Sequence, residues 1–245
     1  MKRTAIFGAC VFVSMLLFLV EPTFAGPGGI IAKAAFESFW GKVALGILII
    51  VFLPLITYME LRTKISERRA RRDLRFMAGY STKFELLKIY ERAKDCFFRV
   101  HSGWRDEDLL GVSNWMTDWY WQNQQAVHLE RWKKEGLINI CHVESITDIK
   151  PLLFVHRNQG REHEDSMVVL SIGAKMQDYL MERKSERIVE GSKSFKHVDT
   201  IWSFTLEDGE WKVSNIEDGI MWSEYSRLTQ ELPRIESTVV LDLRA

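Results

Sequence analysis

From Val43 to Met59 the chain carries no charged side chain. Close behind come Arg62, Lys64, Arg68, Arg69, Arg71, Arg72 and Arg75, opposed within that stretch only by Glu67 and Asp73. A helix over 43–59 would rise about 25 Å, at the short end of what crosses a bilayer. Trp40 and Tyr58 stand near its two ends, where amphipathic rings favour the headgroup region. Pro54 is tolerated in such a helix because neighbouring groups re-satisfy the freed carbonyl. The pattern predicts a transmembrane helix over 43–59 and a basic juxtamembrane segment over 60–81. A buried core helix of a soluble protein is the alternative.

Orientation follows from the arginines. Lys and Arg accumulate on the cytoplasmic side of a membrane, and only Lys33 and Lys42 precede the helix after residue 25. Everything after residue 60 is therefore expected inside. The start of the chain reads as an export signal: Met1-Lys2-Arg3 is basic, Ala5 to Val20 is apolar, and Thr23-Phe24-Ala25 fits cleavage before Gly26. An uncleaved first helix over 1–25 is the other reading, and it leaves the C-terminal side inside as well. Basic residues beside a membrane attract anionic phospholipid with about 1 kcal/mol each, so the seven named above are candidate lipid contacts. Setting topology alone is their simpler role. Nucleic acid is not expected, because no aromatic residues are interleaved to stack on bases.

The formal net charge is zero, an average over these segregated zones that says nothing about partners. Cys10 lies in the first apolar run, which leaves Cys96 and Cys141 far apart in the rest. Two such cysteines form neither a disulfide framework nor a zinc knuckle. Both are expected as buried thiols in a reducing compartment.

Beyond the basic segment, Phe84, Leu87, Tyr90, Ala93 and Phe97 recur at helical spacing and predict an amphipathic helix over 82–100. A longer helix is expected over 113–135, with Trp115, Trp119, Val127, Leu129 and Trp132 inward and Gly136 ending it. Strand patterns follow over 137–149, 152–156 and 167–181, with Pro151 marking a break or an edge. Residues 197–206 and 211–216 flank Asp208-Gly209, a two-residue hairpin turn. That turn pairs Leu206 with Trp211, Phe204 with Val213 and Trp202 with Asn215, one face that the upstream helices must cover. The fold class is α+β: N-terminal helices packed on a curved antiparallel sheet over 82–218, then a tail over 219–245 with a short helix before Pro233.

Catalytic patterns are thin. No glycine-rich phosphate loop, serine elbow or His-Glu-x-x-His zinc motif occurs, and no cofactor or metal is expected. His156 and His163 flank a turn at Asn158-Gln159-Gly160 and read as a solvated loop. His197 and Asp199 share the strand face opposite Trp202 and should meet solvent. Asp118, beside Trp119 and Tyr120, is the carboxylate best placed for a pocket base. Trp115 and Trp119 are expected in the core, with Tyr120 and Trp121 turned toward a pocket mouth or a partner.

The segment from His197 through Trp202-Ser203-Phe204, then Gly209-Glu210-Trp211-Lys212-Val213 and Ile216-Glu217-Asp218, resembles the closing hairpin of the Tim44-like domain. The helix-then-sheet order from Phe84 onward is similar too. The resemblance implies a cone related to nuclear transport factor 2, with an apolar pocket between helices and sheet. The mitochondrial namesake tethers a chaperone motor to the import channel, and a ribosomal relative docks to the inner membrane, both at the matrix face. That face corresponds to the bacterial cytoplasm. This chain departs from the namesake by carrying its own apolar helix and only a short arm before the domain. The expectation is a non-enzymatic, single-pass scaffold of the bacterial inner membrane with a cytoplasmic domain. It would bind a partner protein or lipid, in protein translocation, membrane-protein biogenesis or at the ribosome. Trp115, Asp118, Trp119, Tyr120, Trp121, Trp202, Phe204 and Trp211 are its candidate pocket or partner residues. A small-pocket enzyme on the same fold, and a type IV secretion-like component with a periplasmic domain, remain as alternatives.

Overall fold

The computed structural model describes residues 38–157 and 162–239, apart from the side chains at 45, 56, 59, 60, 220 and 223. The signal segment over 1–25 and the turn at 158–160 lie outside the described residues. The chain divides into two compact units, one ending at Leu61 and one beginning at Arg62.

In the first unit, helix α1 (Phe39–Ala78) begins. Phe39, Trp40, Ile47, Leu48, Ile50, Val51, Phe52, Leu53, Leu55 and Tyr58 are all exposed. Pro54 sits inside the helix and cannot donate to the preceding turn. The Thr57 hydroxyl lies 2.9 Å from the carbonyl oxygens of both Leu53 and Pro54. Among the described residues no helix is long and apolar enough to cross a membrane. Within 43–59, the side chains at 45, 56 and 59 fall outside that set.

In the second unit, the end of α1 buries Ala70, Leu74 and Met77. Ser81 then caps a 3-10 turn, Thr82–Phe84, by accepting from the Lys83 amide. Helix α2 (Leu86–Arg105) follows and buries Ile89, Ala93, Cys96, Phe97 and Val100. The expected single helix over 82–100 is thus a turn plus a helix. The tighter turn at Phe84 resets the register, so Leu87 is 75% exposed and Ile89 takes its place inside.

The helix expected over 113–135 begins late. Met116 forms a parallel bridge with Val213, and the Thr117 amide donates to the Val213 carbonyl at 2.9 Å. Strand-like pairing there interrupts helical hydrogen bonding, so a 3-10 segment, Leu110–Trp115, precedes helix α3 (Asp118–Gln124). A π-helical turn, Gln125–Leu129, joins α3 to α4 (Glu130–Glu135), which Gly136 ends in the left-handed conformation (φ 72°).

The sheet is an antiparallel meander in the order β1 (Leu137–Val155), β2 (Met167–Glu182), β3 (Ile188–Glu207), β4 (Glu210–Asp218). Pro151 does not end β1. It sits on this edge strand at one of three register shifts against β2, the kind of irregularity that bends a sheet. Asp208 (φ 54°) and Gly209 (φ 78°) both adopt left-handed backbone, the type I′ geometry that suits a two-residue hairpin. Leu206 opposes Trp211 and Phe204 opposes Val213 as expected, but Trp202 opposes Ile216, not Asn215. The shift between Ser203 and Phe204 leaves Ser214 as the extra residue, its hydroxyl donating to the Ser203 carbonyl at 3.2 Å.

Trp202, Phe204, Leu206, Trp211 and Val213 on the inner face meet α1 and α2 residues, Phe97 among them, in the main core. On the outer face Leu152, Leu153, Val169 and Ile201 form a smaller core under Trp222 and Tyr225 of helix α5 (Trp222–Glu231), the helix expected before Pro233. The α+β expectation, helices on a curved antiparallel sheet, holds.

Candidate functional site

One end of the inner face is filled. Phe97 and Trp202 lie 5.0 Å apart between ring centroids, and Trp202 stacks on Phe204 at 6.3 Å. His101 is buried against them, its Nδ1–H donating to the Phe97 carbonyl at 2.7 Å. Burial lowers its pKa to about 4, so the imidazole is neutral at physiological pH. Trp211 lies beside Phe84 and donates from Nε1 to the Lys83 carbonyl at 2.9 Å. At this level the pocket that the resemblance implies is occupied by aromatic side chains.

Farther along the same face a cavity of about 210 Å³ opens. It is lined by Trp104 from the end of α2, Trp132 from α4, Asn139 from β1, Asp178 and Tyr179 from β2 and Glu190 from β3. Along β2 the inner-face residues Val168, Leu170, Ile172, Ala174 and Met176 are all buried in the core. The next residue in that alternation is Asp178. Asn139, with its amide oriented to satisfy both ends, donates to Asp178 Oδ1 at 3.2 Å and to the Tyr179 carbonyl at 3.1 Å. Lost hydration pushes the Asp178 carboxyl up; the Asn139 hydrogen bond opposes this and Glu190 adds to it. Gly191 is left-handed (φ 82°), and a Cβ there would collide with the Asp178 backbone. That glycine lets β3 close on β2 beside the cavity. Apart from Trp132, expected inward on its helix, none of these residues stood out in the sequence, although the carboxylate that breaks β2's apolar alternation was a visible signal.

The candidate residues around Trp119 separate instead of converging. Trp202, Phe204 and Trp211 are core, and so is Tyr120, only 2% exposed. Trp119, expected inside, is 70% exposed. The exchange follows from the late helix start: Trp115 and Trp119 share a face only if the helix runs unbroken through Met116 and Thr117. Val127, expected inward with them, is exposed too. Trp115 is half-buried between the guanidinium groups of Arg92 and Arg99, 3.9 and 4.2 Å from its ring centroid. Asp118 is exposed and accepts from Trp121 Nε1 at 3.2 Å. It lines no described cavity, so it is not placed as a pocket base.

His156 and His163 are likewise not a solvated loop. His156 is buried, and its Nε2 lies 3.0 Å from His163 Nδ1, with Phe84 edge-on to both rings. Thr238 donates its hydroxyl proton to the Ile235 carbonyl, so its oxygen accepts from His156 Nδ1–H at 2.9 Å. Nε2 of His156 is then the acceptor and His163 Nδ1–H the donor. Desolvation lowers both pKa values, helped at His156 by His163 and at His163 by Lys83. The pair was illegible in sequence because Thr238, its third member, is distant in the chain.

His197 and Asp199 do face solvent, 3.3 Å apart. With Asp148 they form the one group of three among the described residues that could hold a metal ion. Asp148 and Asp199 flank Gly173 across three strands, and Lys150 already pairs with Asp148. Cys96 and Cys141 are buried, and burial pushes each thiol up to about 12.

Several of the basic residues after Met59 have protein partners. Arg69 donates to the carbonyls of Thr229, Leu232 (2.7 Å) and Pro233 (2.9 Å), and pairs with Asp73. Arg71 pairs with Glu67, Arg72 with Asp73, and Arg62 reaches Gln230 at 3.4 Å. Lys64, Arg68 and Arg75 are exposed.

A family model described as the Tim44-like domain matches residues 70–218, more than half of the chain. No curated protein matches the sequence. Among solved structures, the chain is similar to the intermembrane-space region of the chloroplast protein ARC6. Identity is 8% and the TM-score 0.35, covering 51% of this chain and 92% of that one. At that likeness nothing about function passes from it to this chain.

Proposed function

Because the chain belongs to the Tim44-like domain family, we propose that it is a non-enzymatic scaffold working in protein translocation or membrane-protein biogenesis. Residues 43–59 anchor it in a bacterial inner membrane, as a single pass after removal of residues 1–25. The domain that follows lies on the cytoplasmic side, where it holds a partner protein near the bilayer. One observation carries the anchor: the early part of α1 exposes Ile47, Leu48, Ile50, Val51, Phe52, Leu53 and Leu55 together. Burying a large aliphatic or aromatic side chain is worth roughly 1.5–3 kcal/mol, so leaving this many in water is costly, and hydrocarbon relieves the cost. Lys64, Arg68 and Arg75, exposed just beyond, are the residues best free to meet anionic phospholipid. Arg69 serves the fold instead.

Two features favour a scaffold over a catalyst. One end of the inner face is occupied by Phe97, Trp202 and Phe204, and Asp118 is exposed. Surface aromatics such as Trp119 suit protein contact, since aromatic side chains are enriched at interfaces. Carbonate extraction of membranes from cells making the full chain tests the anchor. The protein is expected to stay in the pellet, and recovery in the soluble fraction would sink the proposal. Crosslinking in intact cells from position 122, exposed one turn along α3 from Trp119, should capture a translocation or ribosome-associated protein. Loss of that crosslink on Trp119→Ala is the expected result; an unchanged pattern contradicts this contact surface.

A further inference from the structure

We propose that the cavity at the open end of the cone is a binding site for a compact organic cation, an ammonium or guanidinium group with its alkyl stem. The inference does not depend on the membrane anchor. It rests on what the inner face does where the core ends. Along β2 the side chains that point toward the helices are apolar through Met176, and a pattern with no ligand to serve would continue so. The chain instead places Asp178 there, with Glu190 from β3 and Asn139 from β1 on the same cavity wall.

Those carboxylates are not neutralised from within. Glu190 raises the Asp178 pKa, and no lysine or arginine among the described residues appears in the opposing balance. Of the basic side chains on the same strands and nearby turns, Arg183 pairs with Glu107, Arg187 with Glu182 and Lys175 with Glu144, while Lys193 stands 6.0 Å over the Tyr179 ring. Asn139 helps hold Asp178 from one side through its amide. With Asp178 held this way and Glu190 exposed beside it, the two like charges favour a cation placed between them.

The remaining walls suit an organic cation better than a metal ion. Trp104 and Trp132 line the same cavity, and indole faces attract ammonium and guanidinium groups through the ring quadrupole. Carboxylates at one wall and tryptophans at another give the divided lining that holds a charged head and its apolar stem. The same charges disfavour a fatty acid or a phosphate headgroup, which separates this site from the basic residues of α1. The cation can belong to a free small molecule or to a lysine or arginine side chain of a polypeptide.

Ligand-observed saturation-transfer NMR on the full chain, held in a neutral detergent at low salt, tests the assignment. The probes are butylguanidinium chloride and N-acetyl-arginine amide, with sodium butyrate as the anionic control. Both cations should give saturable transfer and butyrate none. The double variant Asp178→Asn with Glu190→Gln should weaken cation binding tenfold or more, and Trp132→Leu severalfold, with thermal unfolding confirming that each is folded. Equal binding of the two cations points to the free group as sufficient; preference for the peptide analogue points to a polypeptide ligand. Unchanged binding in the double variant overturns the site, as does transfer to butyrate that matches the cations. Should the double variant not fold, the wild-type preference between cations and butyrate still decides the matter.

Discussion

The two ends of the cone are built on the same strands and do opposite things. At one end Trp202 and Phe204 of β3 close against Phe97 and His101 of α2, and the side chains are buried to the last ring. At the other end β2 and β3 present Asp178 and Glu190, while Trp104 and Trp132 stand at the wall without sealing it. Strand alternation alone would have made both ends apolar. The difference teaches where stability is spent and where it is withheld: the packed end specifies the fold, and the open end is left polar at the cost of burial. If so, substitutions at the packed end should be expensive and those at the open end nearly silent for stability.

The largest effect is expected from Trp202→Ala. Deleting a fully buried aromatic side chain costs about 3–5 kcal/mol, a large share of the roughly 5–15 kcal/mol that holds an ordinary domain, and urea denaturation monitored by circular dichroism measures it. Acid comes next. His101 has a folded pKa of about 4 against an ordinary 6.5, and His156 and His163 are also lowered. Well above pH 6.5 neither folded nor unfolded chain is protonated at these groups and stability is full. As pH falls from 6.5 toward 4, the unfolded chain takes up protons that the folded one refuses, so stability drops, on the order of 3 kcal/mol for His101 alone. Thermal unfolding between pH 7 and 4 should show a steeper fall for wild type than for His101→Phe; parallel curves would mean the ring is not buried neutral.

A smaller loss is expected from Arg69→Ala. It removes the donors to the carbonyls that follow and end α5 and leaves the buried Asp73 with Arg72 alone. The cost should be about 1–3 kcal/mol, with faster proteolysis after Glu231 as the local sign. The smallest effect belongs to the open end. Asp178→Asn with Glu190→Gln should change stability by less than about 0.5 kcal/mol, on the stabilising side because a like-charge pair is removed. A large destabilisation there would erase the contrast between the two ends.

What could be read from sequence was whatever depends on local rules. The Asp208-Gly209 turn, the strands around it and the apolar face of Trp202, Phe204, Trp211 and Val213 follow from turn chemistry and alternation, and all are in place. Three features fixed by distant partners were not legible. Met116 left its helix to bridge Val213, which turned Tyr120 in and Trp119 out. An extra residue at Ser214 moved Trp202 from Asn215 to Ile216. His156 and His163 met through Thr238, far along the chain. The cavity lay between these cases. Asp178 breaks a pattern that sequence displays, but Glu190 and Trp132 reach it only through the fold.

The proposed scaffold role depends on which side of a membrane the domain would face. Paired reporter fusions after Ala245, one to green fluorescent protein and one to alkaline phosphatase, test this in intact bacterial cells. A cytoplasmic domain predicts fluorescence and no phosphatase activity. An active phosphatase with a dark fluorescent fusion would put the domain in the periplasm and contradict the proposed scaffold at the cytoplasmic face.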